Sequence, residues 1–443
     1  MMIFNSVIVS VFLVLALCLY RVNIVIALTA GALIGGLVDG FSLSEAVKIF
    51  SDGLGGGARI ALSYAILGAF ASAVAHSGLS DLLAKKIVHH FSQRSMSGHN
   101  IFMGKCIFFA AIGFMSLACK NIIPVHIAFI PVLIPPLLGV FNLMKIDRRA
   151  ISCIITCGVV VAYMLIPIGF GEIFSDNILL HYLKINGMQV SLGEIISALK
   201  FPATGMICGV ALAIFRYRHP RKYEQISDAP AALEGDPPPT RHVAASIIAI
   251  SAALVVQLAT REIILGALAG FFVFSCCGVV CRHESDCVVV DGFKMMAAIA
   301  FTMLAAAGFG NVIRASTDIS TLIEWLVTHV GDNKILAICG MLGAGFLISI
   351  GIGSSFSTVP IVAPVYVPLC IKLGISPMAT VVIVAISGVC GDAGSPASDS
   401  TLGPTMGLNA DGQHNHIADT VIPAFLYVTM PALVCGVVFA IAL

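Results

Sequence analysis

The chain has 443 residues, of which 58% are apolar and only 11% charged, with a formal net charge of +1. Soluble domains carry roughly 25% charged residues, so charges this sparse cannot clothe a water-exposed surface, and the apolar side chains must face lipid. The near-zero balance supplies no basic stripe to neutralise phosphates, which argues against a nucleic-acid partner.

A spanning helix needs about 20 mostly apolar residues. In chain order this predicts spans over 3–20, 22–38, 57–77, 149–185 (interrupted), 198–215, 242–260, 263–281, 293–310, 376–406 (interrupted) and 417–443. The first of these has no basic flank and no small-residue cleavage site, so it reads as a span rather than a signal peptide. Two further apolar pairs, 102–141 and 335–372, have polar centres at Cys119-Lys120-Asn121 and at Gly351 to Thr358. Each reads as a helical hairpin that enters and leaves on one side, or as two ordinary spans. The fourteen cysteines are scattered through apolar stretches without metal-ligand spacing and read as packing residues.

Residues 216–241 form the one long polar stretch, and Pro220, Pro230 and Pro237 to Pro239 forbid a regular helix through it. It reads as a linker between a first repeat, 1–215, and a second, 242–443. Matching fragments recur in order on either side: Ala27-Leu28 with Ala267-Leu268, Asp52-Gly53 with Asp291-Gly292, Pro131 to Pro135 with Pro364 to Pro368, and Ile207 to Val210 with Val434 to Val437. That order is the mark of an internal duplication. Each half holds five spans and one hairpin. Because five is odd, the second half is expected to be inverted, the architecture of secondary transporters with a site at the repeat interface. The fold class expected is thus an all-α polytopic membrane protein of two inverted repeats with discontinuous helices. Basic residues such as Arg148, Arg149, Arg216, Arg218 and Arg221 gather on one side, which places the linker in the cytoplasm.

The interrupted span of the second half carries the densest polar chemistry: Asp392, Ser395, Ser398, Asp399, Ser400 and Thr401, with Gly391, Gly394 and Pro396 expected to unwind the helix. Unwound backbone at membrane depth is tolerated where it lines a cavity or ion site. Carboxylate, hydroxyl and carbonyl oxygens together suit a hard cation, so Asp392 and Asp399 are candidate sodium ligands. A carboxylate at the bilayer centre costs about 2.5–3.5 kcal/mol on insertion scales and persists when it binds an ion or a proton. The bland alternative is that both aspartates cap a broken helix.

Glu172, in Gly171 to Asn177, lines up with Asp392 as the first-half counterpart, unless that stretch is a loop. The hairpin tips should complete the site. Ser354, Ser355, Ser357 and Thr358 supply hydroxyls at one tip, and Lys120 and Asn121 mark the other. Half-helix N-termini there suit a carboxylate substrate, and C-terminal ends suit a cation. Asp411, His414, His416 and Asp419 read either as a metal or pH-sensing cluster or as a solvated turn before the last span.

The stretch Gly391 to Thr420, GDAGSPASDSTLGPTMGLNADGQHNHIADT, resembles the C-terminal signature of the sodium/proton antiporter family within the ion-transporter superfamily. It is most similar to a bacterial subgroup described as antiporters or amino-acid permeases. The resemblance implies a multi-pass protein of the bacterial inner membrane, with two hairpins, broken helices and alternating access. It makes Asp392, Ser395, Ser398 and Asp399 ion-site residues. The first-half break lacks the GSPASDS pattern. A transporter rather than an enzyme is expected, with no cofactor beyond sodium or a proton as coupling ion. Its partners would be the lipid bilayer and a small cation or small organic solute, and a homodimer is one assembly open to it. Within this class, cation/proton exchange and cation-coupled uptake of an amino or carboxylic acid remain open. Intramembrane proteolysis is disfavoured, since Val389 stands where a GxGD motif needs glycine and HExxH is missing.

Overall fold

The computed structural model describes residues 5–20, 22–79, 82, 98–121, 126–168, 170–219, 221, 223, 239–260, 262–281, 283–318, 321 and 333–443. Among these the protein is helical throughout. The first half comprises α1 (Ser6–Leu19), α2 (Ile24–Val38), α3 (Leu43–His76), α4 (Gly98–Asn121), α5 (His126–Leu143) and α6 (Arg148–Leu165). It continues with the composite α7 (Phe170–Glu172, π-helical Ile173–Leu180, then His181–Ile185) and α8 (Leu192–Arg216). The second half comprises α9 (Thr240–Thr260), α10 (Ile263–Cys276), α11 (Ser285–Ala315), α12 (Lys334–Ile352), α13 (Ser355–Lys372), α14 (Pro377–Gly394), α15 (Asp399–Leu408) and α16 (His416–Ala442, with two π-helical stretches).

Helix starts follow cap chemistry. Ser42 and Glu45 form a capping box on α3, as do Ser191 and Glu194 on α8, while Asp147 caps α6. The box at Ser42 explains why α3 begins well before the apolar stretch predicted at 57: a satisfied N-terminus lets the helix run on through polar turns. Seven stretches among the described residues are long and apolar enough to cross a membrane: α6, α8, Thr240–Gln257, α12, α13, Pro377–Leu408 and α16. Shorter apolar helices include Ser6–Cys18 and Ile24–Val38.

The contacts come in matched pairs. α1 packs on α2 and α9 on α10; α2 lies on α11 and α10 on α3; α6 packs on α4 and α14 on α12. The most extensive seam joins α3 to α11, where Gly53, Gly57 and Gly68 meet Gly292, Gly308 and their neighbours, small residues that let two backbones approach. The two interrupted helices match as well: α6 and α14 are each 18 residues long, and the chain leaves the helix at Ile166 and at Ser395. It re-enters at Phe170 and at Asp399. Most of the linker, together with residues 122–125 and the side chains of Lys120 and Asn121, lies outside the described residues.

α14 is the centre of the molecule. Every residue from Ala379 to Gly394 is buried, between the hairpin α12–α13 on one side and α6, α8 and α16 on the other. Such a helix has no lipid-facing stripe, so its polar residues face protein.

Candidate functional site

The break in α14 falls later than the glycines suggest. Helix continues through Gly391 and Gly394 and ends where Ser395 N donates to the Gly391 carbonyl, 2.9 Å away. Pro396 then stops it, since proline lacks an N–H and forces its predecessor into extended geometry. Asp392 therefore sits in the last turn of a helix rather than on unwound backbone. The second-half tip is equally tight. α12 runs to Ile352, Gly353 turns with φ +69°, and α13 starts at Ser355. The left-handed angle is one that glycine adopts without strain.

These two interruptions lie against each other. Ser395 Oγ donates to the Ile350 carbonyl at 2.7 Å, and Ser349 Oγ donates to the Gly388 carbonyl at 2.6 Å. The α-carbon of Gly391 faces the Ser349 backbone so closely that a Cβ would collide with it.

Asp392 is 2% exposed and lies between helices. Its Oδ2 accepts from Ser355 Oγ and from the Tyr163 hydroxyl, both at 2.6 Å, and its Oδ1 accepts from Ser355 N at 3.2 Å. The Ser354 side chain makes no capping bond among the described residues, so Asp392 supplies the cap of α13 from across the interface. A helix N-terminus favours negative charge, and charge-assisted bonds of this length are strong. A carboxylate is thus held where α6, α13 and α14 converge.

The other candidate residues divide. Ser398 caps α15 by accepting from Ser400 N at 3.1 Å, and Asp399 opens that helix half-buried, its Oδ1 accepting from Ser400 Oγ at 3.3 Å. Ser400 is buried, and its carbonyl accepts from Thr156 Oγ1 of α6 at 3.0 Å. Thr358 is buried and bonds back to the Ser354 carbonyl, and Ser354 itself is half-buried. Glu172 is exposed on α7 and does not join Asp392. Asn121 ends α4, but its side chain lies outside the described residues. Among the described residues no three His, Cys, Asp or Glu gather as metal ligands, so a cation here would rely on Asp392 with hydroxyl and carbonyl oxygens.

The first-half residue that meets Asp392 is Tyr163, not Glu172. Each stands two residues before the end of its 18-residue helix, and the two side chains bond to each other. Glu172 was aligned on the neighbouring glycine, but the chain leaves α6 at Ile166-Pro167, upstream of it. Tyr163 was legible in one respect: Ser152, Thr156 and Tyr163 recur at helical spacing and share one face of α6. An aromatic wall was not foreseen. The Tyr163 ring meets Phe174 edge-on at 5.0 Å, and Phe356 lies 5.9 Å from both rings and 6.2 Å from Phe170. It packs α7 and α13 against the ring whose hydroxyl holds the carboxylate.

The polar run before α16 is a turn that is solvated only in part: Asn409, Gly412 and Asn415 are exposed, whereas His414 and Asp419 are buried. Arg148, fully buried, holds Asp411 through both guanidinium Nη atoms at 2.6 Å and donates to the Leu408 carbonyl at 3.0 Å. Arg221 pairs with Asp419 at 2.6 Å, and the Arg148 guanidinium lies over the Tyr223 ring at 4.3 Å. Every described cysteine is free.

The profile of the Na+/H+ antiporter family matches residues 154–441, and that of a second Na+-H+ antiporter family matches residues 5–91. The chain is 48% identical to "Uncharacterized membrane protein VP2115" of Vibrio parahaemolyticus, with 99% of this chain and 100% of the relative covered. It is 44% identical to an "Uncharacterized membrane protein" of Haemophilus influenzae, with 100% of both covered. It is 45% identical to "Putative amino acid transporter YuiF" of Bacillus subtilis, with 99% of this chain and 100% of the relative covered. Among solved structures, the YdaH transporter of Alcanivorax borkumensis gives a TM-score of 0.41 at 16% identity over 98% of each chain. MtrF of Neisseria gonorrhoeae, from a class of antimetabolite efflux pumps, gives 0.41 at 12% identity over 91% of this chain and 85% of that one. A polytopic helical chain matched over most of its length in this way belongs to the Na+/H+ antiporter family and is a membrane transporter.

Proposed function

We propose that the chain exchanges sodium for protons by alternating access, with the Asp392 carboxylate taking each in turn. The observation that carries this is a fully buried carboxylate shared by a helical hairpin and an interrupted helix, and bonded to three donors. Displacing those donors lets the same oxygens hold a cation, while protonation leaves a neutral carboxyl that still accepts hydrogen bonds. Carboxylate, serine hydroxyls and the carbonyls bared at 395–398 form an oxygen-rich ligand set suited to a hard cation. The matched contacts of the two halves support two repeats, 1–215 and 242–443; the odd number of spans in each makes them inverted, and the excess of basic residues on one side makes the linker cytoplasmic in a bacterial inner membrane. The hairpin and α14 would then move as one body against α3 and α11, since the tip and the break are bonded to each other.

A second reading is cation-coupled uptake of an amino acid or small carboxylate. The aromatic wall of Tyr163, Phe174 and Phe356 favours it, because apolar rings beside a polar centre suit an organic solute. The name of the Bacillus subtilis relative points the same way. Purified protein in proteoliposomes decides between them. Antiport gives proton movement driven by a sodium gradient without any organic solute. Symport gives labelled amino-acid uptake and no sodium-driven proton flux in its absence; that outcome would remove antiport.

A further inference from the structure

α14 ends without the amides that would continue its hydrogen-bond ladder. Those that would close onto the Ala393 and Gly394 carbonyls belong to Ala397 and Ser398, and both turn elsewhere: Ala397 N donates to Ser395 Oγ at 3.1 Å, and Ser398 N donates to the Ser395 carbonyl at 3.3 Å. Pro396 has no amide to give. The carbonyl end of a helix carries partial negative charge and attracts cations.

Against this end stands a buried hydroxyl with nothing to bond. Thr429 of α16 is 0% exposed, and among the described residues its Oγ1 has no hydrogen-bond partner. Gly394, the last residue of α14, faces it: a Cβ there would lie 2.7 Å from Thr429 Oγ1. Helical serines and threonines elsewhere in the chain bond back to the carbonyl four residues earlier, as Ser10, Thr29, Ser116, Thr380, Ser387 and Thr405 do. Thr429 does not. The carbonyl four residues before it, at Phe425, accepts from Met430 N, because Phe425–Thr429 is π-helical. Pro423 and Pro431 flank this stretch, and Pro431 has no amide with which to restore the α-helical pattern. Short π-helical stretches recur at functional sites. A buried hydroxyl left without a partner is costly, so it calls for one from outside the chain.

We propose that Thr429 and the carbonyl end of α14 form a second binding site, for a monovalent cation such as sodium. It is separate from Asp392. Two residues along a helix turn its face by about 200°, so Asp392 points to α6 and α13, where Tyr163 and Ser355 hold it, while Gly394 faces α16. The ligands are a hydroxyl and main-chain carbonyls, hard oxygens without a full charge, which suits an ion of one positive charge rather than two. The Thr429 hydroxyl makes no hydrogen bond to those carbonyls, and an ion lying between them bonds both. The site does not depend on the coupling proposed above, because a sodium ion that is exchanged and one that is co-transported need the same oxygens.

Binding of radioactive sodium to the purified protein in detergent, with ionic strength held constant by choline, counts the sites. The unaltered protein should hold two sodium ions and Asp392→Asn one. Thr429→Val keeps the shape and removes the oxygen. In the Asp392→Asn background it should raise the Kd of the remaining site by about tenfold, the effect of losing one bond to a charged partner. Thr429→Ser, which keeps the oxygen, should bind as the unaltered protein does, and Thr29→Val, at a back-bonded threonine, should change nothing. Melting separates a ligand from a structural hydroxyl. Without sodium, Thr429→Val should have a Tm no lower than the unaltered protein, while the rise in Tm on adding sodium shrinks. A lower Tm without sodium gives the hydroxyl a structural bond and overturns the proposal. So does unchanged sodium affinity in Thr429→Val, or loss of all sodium binding in Asp392→Asn. Absence of sodium-driven proton flux in the unaltered protein would refute antiport and not this site, which the binding count decides.

Discussion

Asp411→Asn is expected to destabilise the protein severely although Asp411 lies in a connecting loop. Its partner Arg148 has a side chain 0% exposed, and Asp411 itself is 9% exposed. The pair is bidentate, with both contacts at 2.6 Å. Asparagine keeps one acceptor, turns an N–H₂ toward the guanidinium, and leaves a buried positive charge uncompensated. The partners that remain are the Leu408 carbonyl at 3.0 Å, Asn142 Oδ1 at 3.5 Å and the face of Tyr223, and among the described residues Nε has no hydrogen-bond partner at all. Breaking a buried pair from one side costs about 3–5 kcal/mol. The exposed pair Lys294–Asp291, with side chains 72% and 65% exposed, is an internal control, and Lys294→Gln should cost no more than about 1 kcal/mol. Reversible unfolding of purified protein in mixed micelles, titrated with a denaturing detergent, measures both. Arg148→Met combined with Asp411→Leu should recover much of the loss, since a packed apolar pair often replaces a buried ion pair at little cost. A loss in Asp411→Asn as small as that in Lys294→Gln would refute the claim that this pair is desolvated and joins α6 to the end of α15.

Three further outcomes follow from the same geometry. Tyr163→Phe removes a donor that a cation must displace from Asp392; a bond to a charged acceptor contributes about 1.5–3 kcal/mol, so the half-saturating sodium concentration should fall by about tenfold, measured as sodium-dependent flux. Gly353→Ala and Gly374→Ala both place alanine at positive φ (+69° and +62°) and should each cost about 1–2 kcal/mol in unfolding, but only Gly353→Ala, at the hairpin tip, should also slow transport. The third outcome concerns pH. Burial raises the Asp411 carboxyl, but the Arg148 hydrogen bonds and charge outweigh it and leave the group below its ordinary value; Asp147 is likewise lowered, against burial, by Arg149. A carboxyl depressed in the folded state contributes stability that is complete above its unfolded value of about 4 and is lost as pH falls through the folded value. Unfolding midpoints should therefore show no loss from this source between about pH 8 and 5 and a decline below about 4 that is smaller in Asp411→Asn, where only the Asp147 part remains; a decline already at about pH 6 would contradict the assignment.

Much of this architecture was legible in the chain itself. Apolar run length marks the membrane helices. The Gly-Ser hairpin tip and the Pro396 break were visible because glycine and proline act on backbone geometry directly. The aspartate in that stretch was visible because a carboxylate among apolar residues demands a partner. The partner itself was not. Tyr163 lies in α6, far from Asp392 in sequence, and a tyrosine in an apolar helix looks like packing. Glu172 was chosen in its place because like charge invites alignment, whereas helix length and the position of the break show that a phenol stands opposite the carboxylate. Arg148 was counted as a surface charge for orienting loops. Its burial depends on Asp411 arriving from the other half, a long-range contact that periodicity does not encode. For the same reason His414 and His416 looked like a wet turn: their partners, Thr405, Thr420 and Pro396, become neighbours only once α15 folds back beside α16.

Sodium-driven proton flux in everted membrane vesicles, compared between the unaltered protein and Asp392→Asn at matched membrane abundance, tests the central assignment most directly. Asparagine fits the same space between Ser355 and Tyr163 but can neither lose a proton nor offer a full negative charge to a cation. Flux should vanish to the level of vesicles without the protein. Flux retained at the unaltered rate would mean that Asp392 only holds the hairpin in place and that the cargo binds elsewhere.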